Sequence, residues 1–133
     1  MTDHPSYKDA EKYSLSYNSF LAHATELVQL IQKAGKKYEA VYAIPRGGLV
    51  LGVFLSHALG IPMVDEVHKG VLVVDDLADT GDTLQEYYKE EDVAVLFMKP
   101  WSTFTPTYFV SKTEYWIEFM WEFDIKKRLG EIA

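Results

Sequence analysis

The chain reads as an α/β fold, a mainly parallel twisted sheet with flanking helices, on three observations. Three apolar runs, Glu39–Ile44, Val71–Val74 and Asp92–Met98, have the length and β-branched content of buried strands. The first two run through glycine-bearing turns into helical patterns, an alternation that favours parallel strands joined by crossovers. No internal repeat or low-complexity linker interrupts the 133 residues, so a single domain is expected.

The elements follow in order. Residues 1 to about 13 are polar and mixed, either packed on the body through Tyr7 and Tyr13 or mobile. A helix is expected from about Tyr17 to Ala34, with Phe20, Ala24, Leu27, Val28 and Ile31 on one face, Ser16 as its cap and Gly35 as its stop. His23 reads as a surface or packing residue. The strand Glu39–Ile44 leads through Pro45-Arg46-Gly47-Gly48 into a second helix, Leu49 to about Leu59, apolar nearly all round and so expected to be buried on most sides. Gly60 closes it, and Ile61–Val64 is a short strand. Asp65–Gly70 leads directly into Val71 through a tight turn at His68–Gly70, in which His68 and Lys69 read as ordinary turn residues. Val71–Val74 is the central strand, and a helix runs from Gly81 through about Glu90. After Asp92–Met98 come two short strands, Thr107–Val110 and Glu114–Ile117, with a turn at Ser111-Lys112. A short terminal helix is expected over Glu122–Leu129.

Composition narrows the function. A formal net charge of −7 argues against a nucleic-acid or anionic-membrane surface. The absence of cysteine removes disulfides, thiolate metal sites and cysteine nucleophiles together. No signal-peptide pattern and no apolar run long enough to span a membrane are present, so a cytoplasmic protein is expected. The aromatic tail from Trp101 to Phe123 would leave a large apolar patch unless covered, which favours a homodimer or homotetramer.

The chemistry concentrates behind the central strand, in Asp75-Asp76-Leu77-Ala78-Asp79-Thr80-Gly81-Asp82-Thr83. Strand, acidic turn, small-residue loop and helix place a ligand at the carboxyl edge of such a sheet. The amides around Thr80 to Thr83 face a helix start and suit a phosphate. Asp75 and Asp76 can accept hydrogen bonds from a diol or hold a divalent cation. Phosphate and diol together describe a ribose 5-phosphate. Arg46, beside Gly47 and Gly48, can present a cationic fork to phosphate oxygens, although alone it reads rather as a surface arginine on a tight turn. Lys99 ends the Asp92–Met98 strand at the same edge. Trp116, taken alone, reads as a core tryptophan.

This stretch resembles the phosphoribosyl diphosphate (PRPP) signature of the type I phosphoribosyltransferases, and Phe97–Pro100 with Tyr115–Glu122 resembles the purine-binding segments of the bacterial xanthine-guanine, or 6-oxopurine, group. The likeness covers about residues 14 to 124. It implies transfer of ribose 5-phosphate from PRPP to guanine, xanthine or hypoxanthine, with Mg²⁺, in purine salvage. It also implies roles. Asp79 takes the proton at N7 of the base, and Asp79, Thr80, Gly81, Asp82 and Thr83 cradle the 5′-phosphate, with the Asp82 side chain turned to solvent. Asp75 and Asp76 hold the ribose hydroxyls and metal. Arg46, Gly47 and Gly48 hold diphosphate. Lys99 donates to O6, Trp116 stacks on the base, Ile117 reads its far edge through its backbone, and Glu122 helps bind a second metal ion or diphosphate. Two features depart from the family. The diphosphate loop often carries a cis peptide, and Ile44–Pro45 is the chemically easy position here whereas the family's maps nearer Pro45–Arg46. The long hood loop over the reacting centre is reduced to a tight turn at His68–Gly70, which makes a PRPP- or nucleotide-binding protein with little turnover the alternative.

Overall fold

The structure, a computed structural model, describes residues 11–130; Tyr7 and its neighbours lie outside the described residues. Those residues fall into two compact units, one of the residues up to Ala22 with those from Glu114 onward, the other of His23–Thr113. The elements are β1 (Lys12–Leu15), α1 (Tyr17–Ala34), β2 (Ala40–Ala43), α2 (Gly48–Leu59), β3 (Met63–Val64), β4 (Val71–Val74), β5 (Leu77–Ala78), α3 (Asp82–Tyr88), β6 (Asp92–Met98), β7 (Tyr108–Lys112), β8 (Trp116–Phe119) and α4 (Met120–Arg128).

In the larger unit every strand pairing is parallel. β2 lies between β3 and β4, with Ala40 opposite Val71 and Ala43 opposite Val74. β4 and β5 pair with successive stretches of β6, at Leu72↔Asp92 to Val74↔Ala94 and then at Leu77↔Phe97 and Ala78↔Met98. β7 also pairs with β6. All four residues of β4 are buried, as a strand covered on both faces requires. Val73, Ala78, Leu84, Val93, Val95, Met98 and Phe104 form one core cluster. Parallel register has one consequence that matters: the chain leaves β2, β4 and β6 at the same edge, so Pro45–Gly48, Asp75–Thr83 and Lys99–Phe104 emerge together.

Helix α1 is capped as expected, with the Ser19 N–H donating to Ser16 Oγ at 3.2 Å. His23 packs against Phe97 with ring centroids 5.0 Å apart. α2 departs from expectation. Leu51 and Leu55 are fully buried, but Leu49 and Val53 are 41% and 44% exposed. It lays one face on the sheet, and Gly52 permits the close approach: a Cβ there would lie 2.6 Å from the Ala43 Cβ. Its apolar circumference is therefore only half used.

The opposite, amino edge of the sheet carries a polar network. The Tyr38 hydroxyl donates to Asp92 Oδ2 and lies 2.8 Å from the Tyr108 hydroxyl, while Lys36 Nζ sits 2.8 Å from Asp92 Oδ2. Burial works to raise Asp92, but the hydrogen bonds from Lys36 and Tyr38 overcome it and hold the carboxyl below its usual range.

In the smaller unit β1 and β8 form a two-stranded parallel sheet, Lys12 opposite Trp116 and Leu15 opposite Phe119. Phe119 stacks on Trp121 at 4.6 Å, and Phe20 meets Trp121 edge-on at 5.4 Å. The turn expected at Ser111-Lys112 is not there: both residues belong to β7, and β7 and β8 do not pair with each other. Ser-Lys lacks the positive-φ chemistry of a tight hairpin turn, and each strand finds a parallel partner elsewhere. Among the described residues, no helix is long and apolar enough to cross a membrane.

Candidate functional site

The first part of the site is the turn after β2. The Pro45–Arg46 peptide is cis, the position left open between two bonds in the sequence. Arg46 is exposed, and Gly47 and Gly48 allow the turn to press on the acidic pair. The nearest atom a Cβ at Gly47 would meet is Asp76 Oδ2, and a Cβ at Gly48 would lie 2.6 Å from the Val74 carbonyl oxygen. The glycines therefore exist to let two loops touch. The Gly48 N–H already donates to the Ile44 carbonyl at 2.9 Å, so its contribution to the site is space.

The acidic pair follows β4. The Asp76 N–H donates to Asp75 Oδ1 at 2.9 Å, which fixes the first carboxylate in a local turn. Burial and then the neighbouring Asp76 carboxylate push Asp75 up to about 8. Two hard oxygen donors that cannot comfortably share their charge are a fitting partial set for a divalent cation. Among the described residues no group of three or more His, Asp or Glu gathers to complete such a set, so further oxygens must come from a ligand or water.

The third part is the loop Asp79–Thr83. With Asp75, Leu77, Ala78 and Leu84 it lines a cavity of about 140 Å³. Gly81 takes φ +85°, which turns the chain into α3, and Asp82 is exposed as expected. The Asp82 N–H donates to Thr80 Oγ1 at 3.3 Å. α3 spans only Asp82–Tyr88, shorter than the sequence pattern suggests, so local amides rather than a long helix dipole face the cavity.

Lys99 is fully buried, and it is the one buried charged side chain among the described residues. Its backbone N–H donates to the Ala78 carbonyl at 2.8 Å, and its Nζ lies 5.7 Å from the centre of the Trp101 ring. Sequence reasoning passed over Trp101, which it counted with the aromatic tail. The Trp101 indole N–H donates to Asp79 Oδ1 at 3.0 Å. Its position two residues beyond Lys99, at the carboxyl end of β6, was the signal available. The loop that carries it is fastened to the Asp79–Thr83 loop by the Thr103 N–H and hydroxyl, which donate to the Thr80 carbonyl at 2.8 and 3.0 Å.

Arg46, Gly47, Gly48, Asp75, Asp76, Asp79 to Thr83 and Lys99 thus belong to one unit and one sheet edge. Trp116, Ile117 and Glu122 belong to the other unit. There Trp116 is 38% exposed, with Lys12 Nζ 5.9 Å from its ring centre, so it is not a core tryptophan. Ile117 is buried in β8 opposite Tyr13. Glu122 Oε1 accepts the Phe119 N–H at 2.8 Å, capping α4.

No protein-family model matches the chain. Solved structures do. The chain is 32% identical to a purine phosphoribosyltransferase from Pyrococcus horikoshii Ot3, over 84% of this chain and 94% of that one, with a TM-score of 0.73. It shares the fold of the xanthine-guanine-hypoxanthine phosphoribosyltransferase of Helicobacter pylori, at 24% identity over 90% and 99% of the two chains and a TM-score of 0.74. The same fold occurs in a hypothetical protein from Neisseria gonorrhoeae solved with bound ppGpp, at 24% identity over 92% and 97% and a TM-score of 0.68.

Proposed function

The chain belongs to the type I phosphoribosyltransferase family, and we propose that it transfers ribose 5-phosphate from PRPP to a 6-oxopurine, forming a nucleoside 5′-monophosphate and diphosphate. The observation that carries this reading is the buried Lys99 at the same sheet edge as Asp79, whose Oδ1 accepts the Trp101 indole N–H. A pure PRPP sensor needs neither. A 6-oxopurine places O6 next to N7, so a donor and an acceptor at one edge suit it, whereas a 6-amino group would leave Lys99 badly paired.

Bond breaking at the ribose anomeric carbon runs ahead of bond making, so positioning and electrostatics carry the rate. Thr80, Gly81, Asp82 and Thr83 hold the 5′-phosphate. Asp75 and Asp76 accept from the ribose hydroxyls. Arg46 and the Gly47 backbone face departing diphosphate, with Gly48 giving the turn its room. Asp79 takes the N7 proton and Lys99 donates to O6. The family likeness assigns stacking to Trp116, backbone reading to Ile117 and a second metal or diphosphate contact to Glu122. Mg²⁺, held by Asp75 and Asp76 with PRPP oxygens, would supply neutralisation of the diphosphate charge. A homodimer or homotetramer in the cytoplasm, serving purine salvage, is the setting this reading favours.

The second reading, a nucleotide-binding protein with little turnover, rests on the short Asp65–Gly70 turn, and the ppGpp held by a protein of the same fold keeps it in view. Incubation with PRPP, Mg²⁺ and guanine, xanthine or hypoxanthine, followed by absorbance, separates the two. Nucleotide should form with at least one base. Binding of PRPP or nucleotide without product from any base would establish the second reading instead.

A further inference from the structure

We propose that Trp101 is a positioning residue that holds Asp79 and Lys99 in register for the N7–O6 edge of the purine. The inference rests on the roles just given to those two side chains. One rigid ring touches both: its N–H donates to Asp79 Oδ1 at 3.0 Å, and its face lies 5.7 Å from Lys99 Nζ. The indole nitrogen is a donor only, so the Asp79 oxygen it meets must be accepting. With Oδ1 held, the carboxylate cannot spin freely, and Oδ2 is the oxygen left to meet the N7 proton. An ammonium over an aromatic face keeps its charge while losing freedom to wander. The donor and acceptor that the purine edge must meet are thus set at a fixed spacing by a third group.

The contact is not needed to fasten the loops. Thr103 already ties the Trp101 loop to the Thr80 carbonyl through two hydrogen bonds, and the Lys99 N–H ties its start to Ala78. A bond from the Trp101 side chain to a carboxylate adds orientation rather than attachment. Trp101 therefore acts through Asp79 and Lys99, not on the substrate.

The test is a kinetic cycle on the full chain with PRPP, Mg²⁺ and the accepted base. Trp101→Phe keeps a ring beneath Lys99 and removes the N–H. It should lower kcat roughly tenfold or more, as loss of a hydrogen bond to a charged group does, while KM for PRPP stays within about twofold. On an Asp79→Ala background the same substitution should cost little further. Full kcat in Trp101→Phe, or an equal fall on both backgrounds, overturns the proposal. If Asp79→Ala itself keeps its kcat, the assignment of Asp79 as proton acceptor fails, and this inference with it. If Asp79→Ala is impaired but Trp101→Phe is not, only the inference fails. The indole N–H resonance of Trp101 gives a readout that needs no Trp101 variant for its folding: it should exchange slowly in the native chain and move upfield in Asp79→Ala. An unchanged resonance rules out the bond.

Discussion

At the scale of single residues, the two carboxylates after β4 constrain each other, the Asp76 N–H donating to Asp75 Oδ1. Burial, then the adjacent Asp76, pushes Asp75 up to about 8, far above an ordinary aspartate near 4. Between those values the unfolded chain has lost the Asp75 proton and the folded chain still holds it. The unfolded state therefore binds fewer protons, and stability falls as pH rises across that window, levelling off above about 8. Thermal unfolding in EDTA should show this decline. Asp75→Asn should abolish most of it and leave the variant more stable than the native chain at pH 8.5, by roughly 2 kcal/mol, while weakening binding of Mg²⁺ with PRPP. A variant whose melting follows the native pH profile would mean that Asp75 does not hold its proton in the fold. The site is thus costly to the empty protein, and a cation bound there would relieve it.

At the scale of elements, what matters is how loops from neighbouring strands meet. Gly81 sits at φ +85°, and a Cβ there would lie 2.6 Å from Ser102 Oγ and 2.7 Å from the Phe104 nitrogen. Gly81→Ala therefore meets both backbone strain and a backbone obstacle, and the loop after β6 must move off the phosphate loop. The expected result is a loss of about 1–3 kcal/mol in unfolding free energy together with at least a tenfold rise in KM for PRPP; native KM would show that the two loops are not coupled. This meeting of loops also explains what was legible. β4, β6 and α1 were readable because long apolar or amphipathic runs satisfy their own period. β1, four mostly exposed residues, and β5, two residues within the acidic loop, carry no such period and exist only because β8 and β6 offer them partners. The contacts of Asp79 with Trp101 were invisible for the same reason: residues 22 apart in sequence meet only when β5 and β6 pair in parallel. Asp75–Thr83 and Arg46–Gly48 stood out because each carries its polar chemistry in consecutive residues, and both turn out to lie at one edge of the sheet.

At the scale of the whole molecule, the missing hood becomes a matter of chain length. Parallel pairing means that β3 ends toward the site edge while β4 must begin at the opposite edge, where the Glu39 N–H donates to the Gly70 carbonyl at 2.8 Å. Asp65–Gly70 must cross β2, about 10 Å sideways over two strand spacings, and return about 7 Å along the sheet. Fully extended, six residues reach only about 20 Å. Val67 packs against the core cluster on the way, which takes up more of that reach. Too little chain is left to fold over Asp75 and Asp76. A centre that this turn does not cover would admit water to the same anomeric carbon that the base attacks. PRPP should therefore be hydrolysed measurably when no base is present, and inserting a longer polar loop at His68–Gly70 should raise the ratio of nucleotide formed to PRPP hydrolysed severalfold. Both quantities can be followed together by release of diphosphate and appearance of nucleotide. A native chain that does not hydrolyse PRPP when no base is present would show that the turn as it stands already keeps water out.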